Sequence, residues 1–229
     1  DGRAKVTMKI TDAQGRDRSR QFTILRRDDA DSDAIEDAAY RGEQQFYVYF
    51  HQPSDVAGTV FLVHKKLEDD DDRWLYLPAL DLVKRIAATD KRTSFVGSDF
   101  FYEDVSGRSI DLDQHELTDT TDHYYVLKHT PKDPDAVEFG HYVMYVHRKT
   151  FIPVQTEYYD KSGSKFRVYQ ALKVETIDGH PTVTKSSMAN LKTGSKTVMT
   201  YEDVKYDTKL PEDIFTERYL RTPPKEHLN

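Results

Sequence analysis

His141–Arg148 reads HYVMYVHR and Phe151–Tyr159 reads FIPVQTEYY, with only Lys149-Thr150 between them. Tyr142, Met144 and Val146 share one side of an extended chain, and Val143, Tyr145 and His147 share the other. The break leaves room only for a tight turn, so the two segments form a hairpin. Working outward, His123–His129 (HYYVLKH) precedes it across a Pro-Lys-Asp-Pro-Asp loop. Beyond it, Asp160–Gly163 turns into Lys165–Ile177, Asp178-Gly179 into Thr182–Leu191, and Lys192–Gly194 into Lys196–Tyr206. Long arms joined by such short turns make an antiparallel meander, as in a large, strongly curved sheet or barrel. Amphipathic helices do not alternate with the strands, which disfavours a parallel α/β fold.

The first half has the same period. Ala4, Val6, Met8 and Ile10 face one way, and Asp12–Gly15 turns the chain into a second strand over Arg16–Arg27. Gln45–His51, Thr59–Lys65 and Arg73–Leu77 read as further strands. Asp28–Gly42 is acidic and polar and reads as a mobile loop. Over Asp81–Ala88, Leu82, Val83 and Ile86 would share a helical face, but LVKRIA suits a strand better. Phe100–Val105 and Leu112–Leu117 are ambiguous, with a helix over Tyr102–Val105 an alternative. No linker divides the 229 residues, so one domain over 1–229 is expected.

Composition narrows the function. Aromatic residues make up 12%, which argues against disorder and suits a large half-buried sheet. A net charge of −7 disfavours a dedicated nucleic-acid binder. The absence of cysteine removes disulfides, thiolate metal sites and thiol nucleophiles. No apolar run is long enough to span a membrane as a helix. The chain starts at Asp1, not Met, so a signal or upstream segment is expected to have been removed.

Chemical motifs are sparse. His123/His129 and His141/His147 are each six apart, which shares a strand face but separates the rings by roughly 20 Å, too far for one metal. They read as surface or strand-end histidines. Asp99, Glu103 and Asp104 read as carboxylates that solvate or cap a turn beside buried rings, and the Glu68–Asp72 run reads as a solvated loop. Nucleotide-loop, nucleophile-elbow, zinc-protease and EF-hand patterns are absent. No catalytic residue, metal or cofactor is expected. The strands Gln45–His51 and His141–Arg148 are semi-apolar on both faces, so each face needs a cover.

Residues 73–104, RWLYLPALDLVKRIAATDKRTSFVGSDFFYED, carry the most specific pattern. The segments Trp74–Leu80, Lys84-Arg85-Ile86, Ser94–Phe100 and Tyr102-Glu103-Asp104 resemble the LolA-like family of bacterial outer-membrane lipoprotein-sorting proteins. Phe151-Ile152-Pro153-Val154 and the Arg218-Tyr219-Leu220 end extend the resemblance over nearly the whole chain. It implies a mainly β protein built on a strongly curved antiparallel sheet, an incomplete β-barrel, with a few short helices covering the concave face. It also implies a periplasmic protein with a signal peptide, whose helical plug an acyl chain can replace. The implied partners are a lipid or acylated lipoprotein and an RND-type or other inner-membrane exporter.

On this reading the chain is a non-enzymatic carrier. Trp74, Leu77, Phe95, Phe100 and Phe101 are the expected cavity wall or lid. Lys84, Arg85 and Arg92, with Lys91 beside them, are expected to meet headgroups or an acidic partner. The alternatives are a ligand-free structural or adaptor subunit of an envelope export complex and, more remotely, a hydrolase built on a carboxylate pair.

Overall fold

The computed structural model describes residues 1–28, 43–66 and 69–228. Among them are thirteen strands: β1 (Gly2–Thr11), β2 (Asp17–Asp28), β3 (Gln44–Gln52), β4 (Val60–Lys65), β5 (Asp72–Leu77), β6 (Leu82–Arg85), β7 (Asp113–Thr120), β8 (Tyr124–Pro131), β9 (Phe139–His147), β10 (Pro153–Asp160), β11 (Lys165–Ile177), β12 (His180–Asn190) and β13 (Ser195–Tyr206). They form a single antiparallel sheet in the order β6-β5-β4-β3-β2-β1-β13-β12-β11-β10-β9-β8-β7, whose end strands β6 and β7 leave it unclosed. The described residues also form three short α-helices, α1 (Tyr102–Ser106), α2 (Arg218–Arg221) and α3 (Lys225–Leu228), and four 3₁₀ turns. The expected mainly β fold is therefore observed. The two ambiguous segments resolve into a helix at α1 and a strand at β7. The loop expected over Asp28–Gly42 lies, from residue 29 on, outside the described residues.

The chain divides into two compact units, residues 1–7, 19–91 and 201–229, and residues 8–18 and 92–200. In the first, β3 and β4 are buried on both faces. Leu25, Tyr47, Val60 and Leu62 pack against Leu210, Ile214, Phe215, Leu220 and Leu228 of the C-terminal segment. Phe46, Val48, Phe50, Phe61 and Val63, on the opposite face, are buried as well. The C-terminal cover is also tied down by polar bonds. The Tyr47 hydroxyl donates to the Tyr219 carbonyl (2.7 Å), and the Thr23 hydroxyl to the Leu228 carbonyl (3.1 Å). His64 Nε2 donates to the Phe215 carbonyl at 2.5 Å. These bonds satisfy carbonyls that the short, irregular C-terminal turns leave unpaired.

Of the acidic run, Glu68 lies outside the described residues and Asp69 and Asp70 are exposed as expected, but Asp71 and Asp72 are not freely solvated. Asp71 pairs with Arg73, whose side chain is only 2% exposed. Asp72 opens β5 and neutralises both Lys66 and Arg85. Buried Arg73 on β5 needs a counter-charge, and Asp71 supplies it.

In the second unit the register fixes one inner face. Asp113 and His115 on β7, His129 on β8, Tyr142 and Met144 on β9, Thr156 and Tyr158 on β10, Arg167 and Tyr169 on β11, Met188 on β12 and Thr197 on β13 follow across paired positions. Residues 92–112, which include α1, bind to this face through the contacts described next.

Candidate functional site: a capped cavity on the β8–β12 face

The cover begins with the SFVGSDFF segment. Ser94 and Phe101 bridge as antiparallel neighbours, and Phe95 N–H donates to the Phe100 carbonyl at 2.8 Å. Between them, Ser98 N–H donates to the Phe95 carbonyl across Val96 and Gly97, which both have positive φ (49° and 78°). That is a type I′ pattern, which glycine accepts freely and valine does not. The turn presses Phe95, fully buried, edge-on against Tyr102 at 5.6 Å. α1 then starts at Tyr102, with the Asp104 carboxylate reaching back to the Phe101 N–H at 2.6 Å.

Charges fasten this cover to the sheet. Asp99 accepts from the Ser195 and Thr197 hydroxyls at 2.5 and 2.7 Å. Arg167, 1% exposed, donates to the Asp99 carbonyl (2.7 Å) and to the Asp104 carboxylate. Glu103, 2% exposed, bridges Arg92 at 2.6 Å and Arg108 at 3.1 Å. Arg92 also forks onto Glu138 at 2.6 and 2.7 Å. Arg108 forks onto Asp113 at 2.8 Å through Nε and Nη2, and the Tyr142 hydroxyl donates to the same carboxylate at 2.9 Å.

The electrostatics follow from this pairing. Burial favours neutral Arg92, but the Glu138 carboxylate, with Asp104 and Glu103, overrides it and holds the guanidinium charge firmly. Burial likewise favours a protonated Asp113, and the Arg108 bonds outweigh it and lower the acid's pKa. Burial pushes the Tyr158 hydroxyl up to about 12. The guanidiniums also stack. Arg167 lies 3.9 Å over Phe101, and Arg92 sits 4.9 Å from the Phe139 ring centre.

Beneath the cover lies a cavity of about 300 Å³. Phe100, Tyr142, Met144, Tyr158, Tyr169 and Met188 give it an aromatic and thioether wall. Arg92, Glu103, Arg108, His115 and His129 line it as well. The volume is at the small end for ligand pockets, and methionines make the wall adaptable. A second cavity, about 310 Å³, belongs to the first unit and has a mixed lining, with Lys5, Gln21, His51 and Glu202 beside Val6, Phe22 and Leu228.

Of the five residues expected at a cavity wall or lid, Phe100 lines the capped cavity. Phe95 is buried in the cover's own packing, and Phe101 is clamped by Arg92 and Arg167. Trp74 and Leu77 belong to β5 in the first unit, where Trp74 packs on the C-terminal cluster and meets His64 edge-on at 5.1 Å. Among the basic residues expected at a partner surface, Lys84 and Arg85 are exposed on β6. Lys91 reaches Asp70 at 3.5 Å. Arg92 is a correction: its side chain is 7% exposed and its charge is consumed by Glu103 and Glu138, so it does not present itself to headgroups. Of the carboxylates expected to solvate or cap a turn beside buried rings, Asp104 does cap the start of α1, while Glu103 is an ion-pair partner and Asp99 a hydroxyl acceptor.

The sequence reading took His129 with His123 as surface or strand-end histidines and did not pair it with His115. His115 and His129 are 14 residues apart, but β7 and β8 set them opposite each other, with Nδ1 atoms 2.6 Å apart. The signal was the hairpin register around Thr121–His123, since the histidines pair across strands and not along one. No group of three or more metal-ligating side chains occurs among the described residues. Nor, among these residues, is any helix long and apolar enough to cross a membrane.

A family model described as an uncharacterized protein matches residues 42–222. A DUF1329 family protein from Desulfovibrio piger superposes with a TM-score of 0.82 at 29% identity, covering 96% of this chain and 90% of that one. A putative outer membrane lipoprotein-sorting protein domain from Vibrio parahaemolyticus gives 0.82 at 28%, covering 96% and 91%. A LolA superfamily protein from Nitrosomonas europaea shares the fold, at 0.69 and 20%, covering 95% and 90%. No curated protein matches the chain.

Proposed function

Because the chain belongs to the LolA-like outer-membrane lipoprotein-sorting family, we propose that it is a periplasmic carrier working as one domain. It holds an acyl chain of a lipid or lipoprotein and moves it between envelope membranes or to an inner-membrane exporter. The observation that supports this most is the cavity beside α1, walled by Phe100, Met144, Tyr158 and Met188 and flanked by the short segment of chain that carries the helix. Each buried methylene contributes about 0.8 kcal/mol, so a chain can be held without covalent chemistry and released again. The buried carboxylates are engaged by arginines and hydroxyls. That leaves Glu103 and Asp113 poorly suited to acid–base work and supports a non-enzymatic role. The exposed Lys84 and Arg85 on β6 are the basic groups best placed for a headgroup or partner.

One observation favours the ligand-free adaptor instead. The cover is fastened by oriented ion pairs, which are lost if it lifts. Native mass spectrometry of gently purified protein separates the two. A carrier shows adducts of lipid mass, or takes up lipid from phosphatidylethanolamine–phosphatidylglycerol vesicles. A clean ligand-free mass after both treatments would sink the carrier and leave the adaptor.

A further inference from the structure

His129 holds an acceptor for which the structure shows no partner. His115 Nε2 lies 2.7 Å from the Ile110 carbonyl oxygen. A carbonyl only accepts, so this nitrogen carries the proton, and in the neutral ring Nδ1 is then bare. His129 Nδ1 lies 2.6 Å from it and must donate. The lone pair of the neutral His129 ring is therefore on Nε2, a buried atom with no hydrogen-bond partner on a residue 7% exposed. The ring is held in place, stacked on Tyr142 with centroids 4.4 Å apart and planes 10° from parallel. Buried acceptors are rarely left unpaired, and this residue lines the cavity.

We propose that the cavity selects amphiphiles whose polar end carries a neutral hydrogen-bond donor, a hydroxyl or an amide N–H, and that His129 Nε2 is the atom that accepts it. This deepens the carrier reading and rests on it. The apolar part of such a ligand would lie against Phe100, Met144 and Met188. The charges lining the cavity, Arg92 and Arg108 with Glu103 and Asp104, are balanced within it, so a neutral donor needs no counter-charge there. A hydrocarbon alone would bury Nε2 again without a partner, which is the unfavourable state.

Two probes that differ only in the donor test this: N-octylacetamide and N-methyl-N-octylacetamide, titrated calorimetrically into the full chain at pH 8. The N-methyl probe is the more apolar, so burial alone favours it. The expected result is tighter binding of the N–H probe, roughly three- to tenfold. His129→Phe keeps an aromatic ring against Tyr142 and should abolish the preference while both probes still bind. In unsubstituted protein, the His129 Nε2 nitrogen resonance should move upfield with the N–H probe and not with the other, a readout that needs no variant. Equal affinities, as when a retained water satisfies Nε2, overturn the donor-reading role and leave the carrier standing. Binding of neither probe overturns both.

Discussion

The guanidinium of Arg167 lies 3.9 Å over the ring of Phe101, and the same group grips the Asp104 carboxylate three residues further along the cover. One side chain of β11 thus holds both the face of α1's leading ring and its first turn. Arg167 is 1% exposed and Asp104 11%. Breaking such a pair by removing one partner strands the other charge out of water. Arg167→Met should therefore lose about 3 kcal/mol of unfolding free energy, measured by urea denaturation. Asp104→Asn added to Arg167→Met should recover most of that loss, because the stranded charge is gone while the side-chain oxygen can still accept from the Phe101 N–H. A double variant no more stable than the single one would show that stacking and packing, not charge burial, dominate here.

Glu103 holds two arginines that would otherwise repel, Arg92 at 2.6 Å and Arg108 at 3.1 Å. Glu103→Gln keeps the shape and deletes the charge, leaving two guanidiniums, each with one remaining carboxylate. A stability loss of about 3 kcal/mol is expected. The more specific readout is local: amide exchange over residues 100–110 should speed up by more than it does on β10 and β11. Uniform acceleration across the unit would mean that Glu103 contributes to global stability without fastening the cover in particular.

How much of this could be read from the chain follows from the range of each interaction. Strand alternation is local, so β9 to β13 were legible to within one or two residues, and the residues 73–104 pattern carried the family. The site was less legible because it depends on register between strands. Nothing near Arg92 in sequence announces Glu138, and nothing near His115 announces His129. A charged residue in a turn-rich segment reads as solvated by default, but here Arg92 is buried with Glu103 and Arg167 with Asp104, each pair satisfying its own charges. Aromatic content misled in a related way. Phe95 and Phe101 look like ligand-facing rings, yet the type I′ turn and two guanidiniums turn them into parts of the cover.

His129 should make stability depend on pH. Burial, assisted by His115, lowers its pKa from the ordinary 6.5 to about 4, with Asp113 opposing the shift. The unfolded chain therefore takes up a proton below pH 6.5 that the folded protein refuses until about pH 4. The stability this residue contributes is fully present above pH 6.5 and is lost as pH falls through that window. The expected loss is about 2 kcal/mol, after allowing for solvent screening. Unfolding curves at pH 7 and pH 4.5, compared between the parent and His129→Phe, check the sign. The parent should lose stability relative to His129→Phe toward the acid end, and a constant difference would count against a depressed histidine.

Val96 is the strained point of the cover. It is β-branched, has φ of 49°, and occupies the first central position of a two-residue turn whose second position is Gly97 at 78°. That conformation suits asparagine or glycine and crowds the Cβ of valine. The Val96 side chain is only partly buried, whereas the turn bond from Ser98 to Phe95 is backbone and indifferent to the substitution. Val96→Asn should therefore raise stability by about 1 kcal/mol, read as an increased urea midpoint at unchanged slope. It should do so without altering binding of either octylacetamide probe, because Val96 is not needed for the wall formed by Phe100, Met144 and Met188. A stabilised variant with weakened binding would show instead that the strain keeps the cover ready to lift, linking the turn to ligand entry.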